Sequence, residues 1–172
     1  GVAGENEMME VPLEDGVTAE EFCEKMNAVL PPCLRVTKAR PVADAFPTLM
    51  SLVAGSRYRI RLPKEAAPAV SRFADFMALP AYVADRRTKS GEKPCDIRPF
   101  VKEGQLRETD EGYEILLITV TNAGGALKPA LWLQCLCEFA DVAPVDGLII
   151  REEILAKDKR GRLLPTEEYA NE

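Results

Sequence analysis

The chain has 172 residues, 47% hydrophobic and 29% charged, a balance that excludes a disordered polymer and fits one substantial core or two small subdomains. A net charge of -6 argues against whole-surface attraction to nucleic acid or anionic membrane, and no apolar run reaches the roughly 18 residues that cross a bilayer. The opening is acidic, with no basic and apolar leader, so the chain reads as cytoplasmic.

Residues 7–13 alternate enough for a strand, with Met9 and Val11 on one face. Thr18 to Glu21 form a capping box, and Phe22, Met26, Val29 and Leu30 follow at helical spacing until Pro31 and Pro32 stop the helix. Residues 34–42 read as the next strand, which completes a β-α-β unit. A connector follows over 44–54, with a short helix through Leu49, Met50 and Val53.

Residues 57–62 alternate strictly, with Arg57, Arg59 and Arg61 on one face and Tyr58, Ile60 and Leu62 on the other. The next helix covers 65–78, with Pro68 in its first turn and Val70, Phe73 and Met77 as its buried stripe. Residues 82–87 read as a strand, 89–93 as a basic turn and 95–102 as a further strand, with a polar turn over 105–112. Residues 113–121 are apolar at nearly every position, which suits a central strand covered on both faces. Pro129 opens a helix running to Ala140, in which Trp132 and its apolar neighbours are either core or a partner face. The last strand is expected over 147–155, ahead of a charged tail.

The expected fold class is α+β, built of ferredoxin-like β-α-β modules with helices on one face of a mainly antiparallel sheet. The expected units are an N-terminal β-α-β subdomain with its connector (1–54), a β-α-β-β-β-α-β subdomain (55–158) and the tail (159–172), together one structural unit.

Histidine is absent, which removes the commonest general base and with it Ser-His-Asp and Cys-His catalysis. The five cysteines contain no C-x-x-C pair, and reduced, mostly buried thiols are the expected state. Cys135 and Cys137, two apart on a helix, point to different faces and make a strained metal pair. No catalytic and no metal-ligating residue is assigned.

Charge is unevenly placed. Acidic residues from Glu5 to Glu24 precede the first basic residue, Lys25, whereas from Arg86 to Lys102 basic residues outnumber Glu92 and Asp96. Arg57, Arg59 and Arg61 would set three guanidiniums about 6.6–6.8 Å apart, near the repeat of a nucleic-acid backbone. The ordinary alternative is a solvated sheet face that resists edge pairing, or one neutralised by the acidic opening. The Arg86–Arg98 stretch is the stronger candidate for binding a phosphate or carboxylate: Arg86, Arg87, Lys89, Lys93 and Arg98 surround a turn in which Gly91 permits positive φ and Ser90 adds a hydroxyl. Its ordinary alternative is a charged hairpin tip. Asp96, the acid within that stretch, suits a structural ion pair or polar site better than a general base.

Several stretches together resemble the radical-SAM-linked domain family, a domain of unknown function fused to, or encoded beside, a radical SAM protein. They are Gly1–Glu7, Met26–Pro31 with Leu34–Val36, Tyr58–Leu62, Arg87–Lys93 followed by Asp96–Pro99, and Lys128–Pro129. The resemblance implies that further residues precede Gly1, so that the sequence begins inside the domain. It also implies a non-catalytic accessory domain that binds a substrate or partner for the radical SAM protein. No C-x-x-x-C-x-x-C motif occurs, so an iron–sulfur cluster and S-adenosylmethionine are expected only in that partner, and no cofactor in this chain. Two other readings stay open: an RNA-binding module, and an enzyme using Asp96 in a cationic cleft.

Overall fold

Strand β2 (Gly55–Pro63) lies between β6 (Gly112–Val120) and β7 (Leu148–Lys157), antiparallel to both. The computed structural model describes residues 1–14, 16–43, 45–88 and 91–169. The sheet runs β1-β7-β2-β6-β5, with β1 at Val2–Asn6 and β5 at Val101–Thr109. Strand β1 pairs parallel with β7 over Ile149–Glu153, and β8 (Leu163–Pro165) pairs antiparallel over Leu155–Lys157. Strands β3 (Val83–Thr88) and β4 (Gly91–Asp96) form a separate two-stranded sheet.

Two compact units result: Met9–Ser51, and Gly1–Met8 together with Leu52 onward. In the larger unit the chain passes from β2 through helices α3 (Ala67–Val70) and α4 (Phe73–Ala78) and the β3–β4 hairpin to β5. It then continues through β6 and helix α5 (Pro129–Phe139) to β7. The order β7-β2-β6-β5 interleaves two split β-α-β units, the ferredoxin-like arrangement. The fold is α+β, with a mainly antiparallel sheet.

Alternation sets which face is covered. Tyr58, Ile60 and Leu62 on β2, Ile115 and Leu117 on β6 and Ile149 on β7 join one core with Phe73, Phe76, Trp132, Leu133 and Leu136. Trp132 is 1% exposed, so the apolar face of α5 is core. Phe76 sits between Trp132 and Phe139, with ring centroids 5.7 and 5.4 Å away, an aromatic cluster worth more than its area alone. Gly104 on β5 is the close approach: a Cβ there would lie 2.8 Å from Met77 Cε.

Several expectations shift. The single helix expected over 65–78 opens as a 3-10 turn at Lys64–Ala66 and breaks between α3 and α4 at Ser71 and Arg72. The strand expected over 95–102 is divided by a 3-10 turn at Arg98–Phe100, where Pro99 has no amide to give a ladder. Most of β5 was expected as a polar turn; it is an edge strand that takes its register from β6. The expected charged tail carries β8 and helix α6 (Thr166–Tyr169), and Asp158 holds the turn before them by accepting the Arg160 and Arg162 amides at 2.9 and 2.7 Å.

In the Met9–Ser51 unit helix α1 (Ala19–Val29) begins with the expected capping box: Glu21 N donates to Thr18 Oγ1 at 3.2 Å and Thr18 N to Glu21 Oε2 at 3.1 Å. The strands expected over 7–13 and 34–42 are not formed. Pro12 and Pro41 lack the ladder amide, and Val36 instead pairs both backbone groups with the Asn27 side chain, at 2.8 and 2.9 Å. Helix α2 (Leu49–Leu52) receives Glu10 at its start, where Leu49 N donates to Glu10 Oε2 at 3.0 Å.

Candidate functional site

The arginines of β2 do share one face, opposite the helices, and their neighbours decide their state. Register places Ile118, Leu116 and Glu114 of β6, and Glu153, Ile150 and Leu148 of β7, beside Arg57, Arg59 and Arg61. Arg57 pairs with Glu153 at 3.2 Å; Arg59 pairs with Glu152 and lies 3.7 Å from Glu114. Arg61 lies 3.6 Å from Glu114, which also pairs with Arg107 of β5. The Glu114 side chain is only 7% exposed. Removing such a carboxylate from water is costly unless cations gather round it, and here three do. The neutralising glutamates come from β6 and β7. Within the same unit, Glu7 near the chain's opening pairs with Arg151 at 2.5 Å, raising the already high pKa of that guanidinium chiefly through their hydrogen bond.

The hairpin is built differently. Arg86 donates to the carbonyls of Gly124 at 2.7 Å and Ala126 at 2.8 Å, and stacks over Phe100 at 5.4 Å. The receiving turn is preset by the Asn122–Gly125 bridge and by Gly124 N donating to Asn122 Oδ1 at 2.7 Å. Arg98 donates to the carbonyls of Leu79, Val101 and Met77 at 3.1, 2.8 and 3.1 Å, gathering the end of α4 and the start of β5. Asp96 Oδ1 accepts the amides of Tyr82 at 2.9 Å and Arg98 at 3.0 Å, which makes Asp96 a structural clamp at the base of the hairpin. Tyr82 nearby has its pKa raised by burial first, then by Cys135 and Glu138.

The cations outside this framework are divided between two faces. Cross-strand register sets Lys93 opposite Arg86 and Arg87 opposite Glu92. Paired residues share a face, so Lys93 stands with Arg86 while Arg87 stands with Glu92 and Asp85. Lys93 and Arg87 are exposed, and neither makes an ion pair among the described residues. Lys89 and Ser90 lie outside the described residues, and Gly91 beside them has φ 108°.

A distinction in charge follows. Carbonyls satisfy the geometry of a guanidinium without cancelling its charge, whereas carboxylates cancel it. Among the described residues Arg86 and Arg98 thus make no ion pair, unlike Arg57, Arg59 and Arg61. Glu114 and Arg107, which close the β2 cluster, were missed in sequence. The available signal was a lone acid inside the apolar run Tyr113–Thr121, a position that demands a cation.

All five cysteines are free, but they are not mostly buried as expected: Cys135 and Cys137 are buried, Cys23 and Cys95 half-buried and Cys33 exposed. Cys135 is wholly buried, and burial first, Glu138 second, pushes its thiol up to about 12. Among the described residues no three His, Cys, Asp or Glu side chains gather as metal ligands, and no helix is long and apolar enough to cross a membrane.

Fold and site together define an α+β protein of ferredoxin-like topology that carries a hairpin whose Arg86, Arg87 and Lys93 make no ion pair among the described residues. The chain belongs to the family described as uncharacterized protein conserved in bacteria (DUF2344), whose model matches residues 1–129. The match ends at the first residue of α5, so β7 lies beyond it. No curated protein and no solved structure matches the chain.

Proposed function

We propose that this domain is a non-catalytic binding module, an accessory to a radical SAM protein, and that the β3–β4 hairpin face bearing Arg86 and Lys93 engages a phosphate or carboxylate of the partner or its substrate. One observation carries the reading: Lys93 is exposed in direct register with Arg86, whose charge is held against neutral carbonyls. A fixed guanidinium beside a mobile ammonium is a competent anion receptor. The partner comes from the family resemblance, and any iron–sulfur cluster and S-adenosylmethionine would belong to it. Asp96, bonded to two backbone amides, has a structural duty that accounts for it without chemistry.

The test is binding of the full chain to a radical SAM protein, encoded in the same reading frame or beside it, by calorimetry at two salt concentrations. Lys93→Glu should weaken binding by about tenfold or more and flatten its salt dependence. Arg87→Glu, on the other face beside Glu92, should matter less. Unchanged affinity in Lys93→Glu would sink the reading. RNA is the second reading, because its phosphates present the same anion. A steep fall in RNA affinity with salt, abolished by the same variant, would favour it over a protein partner.

A further inference from the structure

The turn that receives Arg86 is made to fit it. Gly125 has φ 98°, and a Cβ there would lie 3.0 Å from Arg86 Nη2. A Cβ on Gly124 would lie 3.2 Å from Phe100 Cζ, in the ring over which Arg86 stacks. The paired glycines let the backbone close on guanidinium and ring together, which a side chain at either position would obstruct. Arg86 is therefore fixed in place by two carbonyls and a ring. A guanidinium has five N–H donors, and the two carbonyls take one each, so donors remain for a ligand.

Two lysines flank this fixed cation. Lys93 faces it across the hairpin. Lys128, at the start of α5, stands two residues beyond Ala126, whose carbonyl holds Arg86. That is at most about 7 Å of chain, within the sweep of a flexible four-carbon stem. Both lysines are exposed, and neither makes an ion pair among the described residues. The acids of the hairpin stand elsewhere, because alternation and register put Asp85 and Glu92 on the face with Arg87.

Three cations of like sign repel one another, and what gathers them best is a ligand of higher charge. A carboxylate brings one charge and two oxygens, enough for Arg86 and one lysine. A phosphodiester of a nucleic-acid strand likewise brings one charge. A phosphate monoester brings nearly two charges and three terminal oxygens, one for each cation.

We infer that Lys128 is a third cation of the receptor, and that Arg86, Lys93 and Lys128 together select a phosphate monoester dianion over carboxylates and phosphodiesters. The inference rests on the anion-receptor reading of Arg86 and Lys93 and narrows its ligand. Nucleoside monophosphates and phosphorylated side chains both carry this group.

An NMR titration of the full chain at mildly alkaline pH, following the amides of Lys93, Gly124 and Gly125, tests this. The probes are inorganic phosphate, dimethyl phosphate and acetate. Phosphate should bind about tenfold more tightly than either monoanion. Lys128→Ala, a surface change that leaves the turn intact, should weaken phosphate about fivefold and acetate much less. Adenosine 5′-monophosphate and a phosphoserine peptide then separate a nucleotide from a phosphoprotein as carrier, the tighter of the two naming the source. Equal affinity for phosphate and acetate overturns the inference. So does the absence of any shift at millimolar phosphate, or a Lys128→Ala chain that binds phosphate like the wild type. If Lys93→Glu still disrupts the radical SAM complex in those cases, the broader receptor reading stands without this ligand. If instead phosphate selectivity holds while the complex ignores Lys93→Glu, the site stands and that partner is removed.

Discussion

Arg57, Arg59 and Arg61 stand on the central strand of the sheet, with Glu114, Glu152 and Glu153 supplied by the strands on either side. Arg86 and Lys93 stand on a two-stranded hairpin, where Arg86 meets two carbonyls and the Phe100 ring and Lys93 meets solvent. In sequence the strand was the denser of the two groups, although the hairpin stretch was the stronger candidate. Density of basic residues is thus a poor guide to available charge. A central strand has two neighbours that can each carry a counter-ion, whereas a hairpin has one, and here its acid sits on the other face.

Substitutions can separate these two states. The largest effect belongs to Glu114→Ala, which leaves Arg59, Arg61 and Arg107 around an emptied site. About 3 kcal/mol should be lost in urea denaturation, since removing one partner strands the other charges. The same variant should bind phosphate at the β2 face where the wild type does not, a gain measurable by calorimetry. Arg98→Ala comes next. It deprives three carbonyls of their donor, at a cost of about 2 kcal/mol in the same assay. Lys93→Glu and Arg87→Glu should stay within about 0.5 kcal/mol of the wild type, as exposed positions do that make no ion pair among the described residues. If either of these proved as costly as Glu114→Ala, the hairpin cations would be structural and the contrast would collapse.

What could be read from sequence was whatever depends on local pattern. The alternation of residues 57–62, the capping box at Thr18 and Pro129 opening α5 each carry their own physical cause, and each appears where expected. Strand β5 did not announce itself, because an edge strand exposed on its outer side has little need of apolar alternation, and β6 alone fixes its register. Residues 34–42 read as a strand but form none, and Val36 pairs with the Asn27 side chain instead. For the site, the shared face of the three arginines was legible and their neutralisation was not, since Glu152 and Glu153 lie about a hundred residues along the chain. The docking of Arg86 on Gly124 and Ala126 spans 38 and 40 residues and uses only backbone acceptors, which no composition reveals.

The placement of β7 has a consequence for how the chain is made. Strand β2 sits in the middle of the sheet, yet one of its two ladders, and the whole ladder of β1, waits for residues 148–157. A ribosome that has released everything up to α5 has produced a central strand with one side bare and a first strand with nothing to join. Closure is therefore a late event joining distant segments, which predicts slow folding for a domain of this size and a nascent chain dependent on chaperones until β7 emerges.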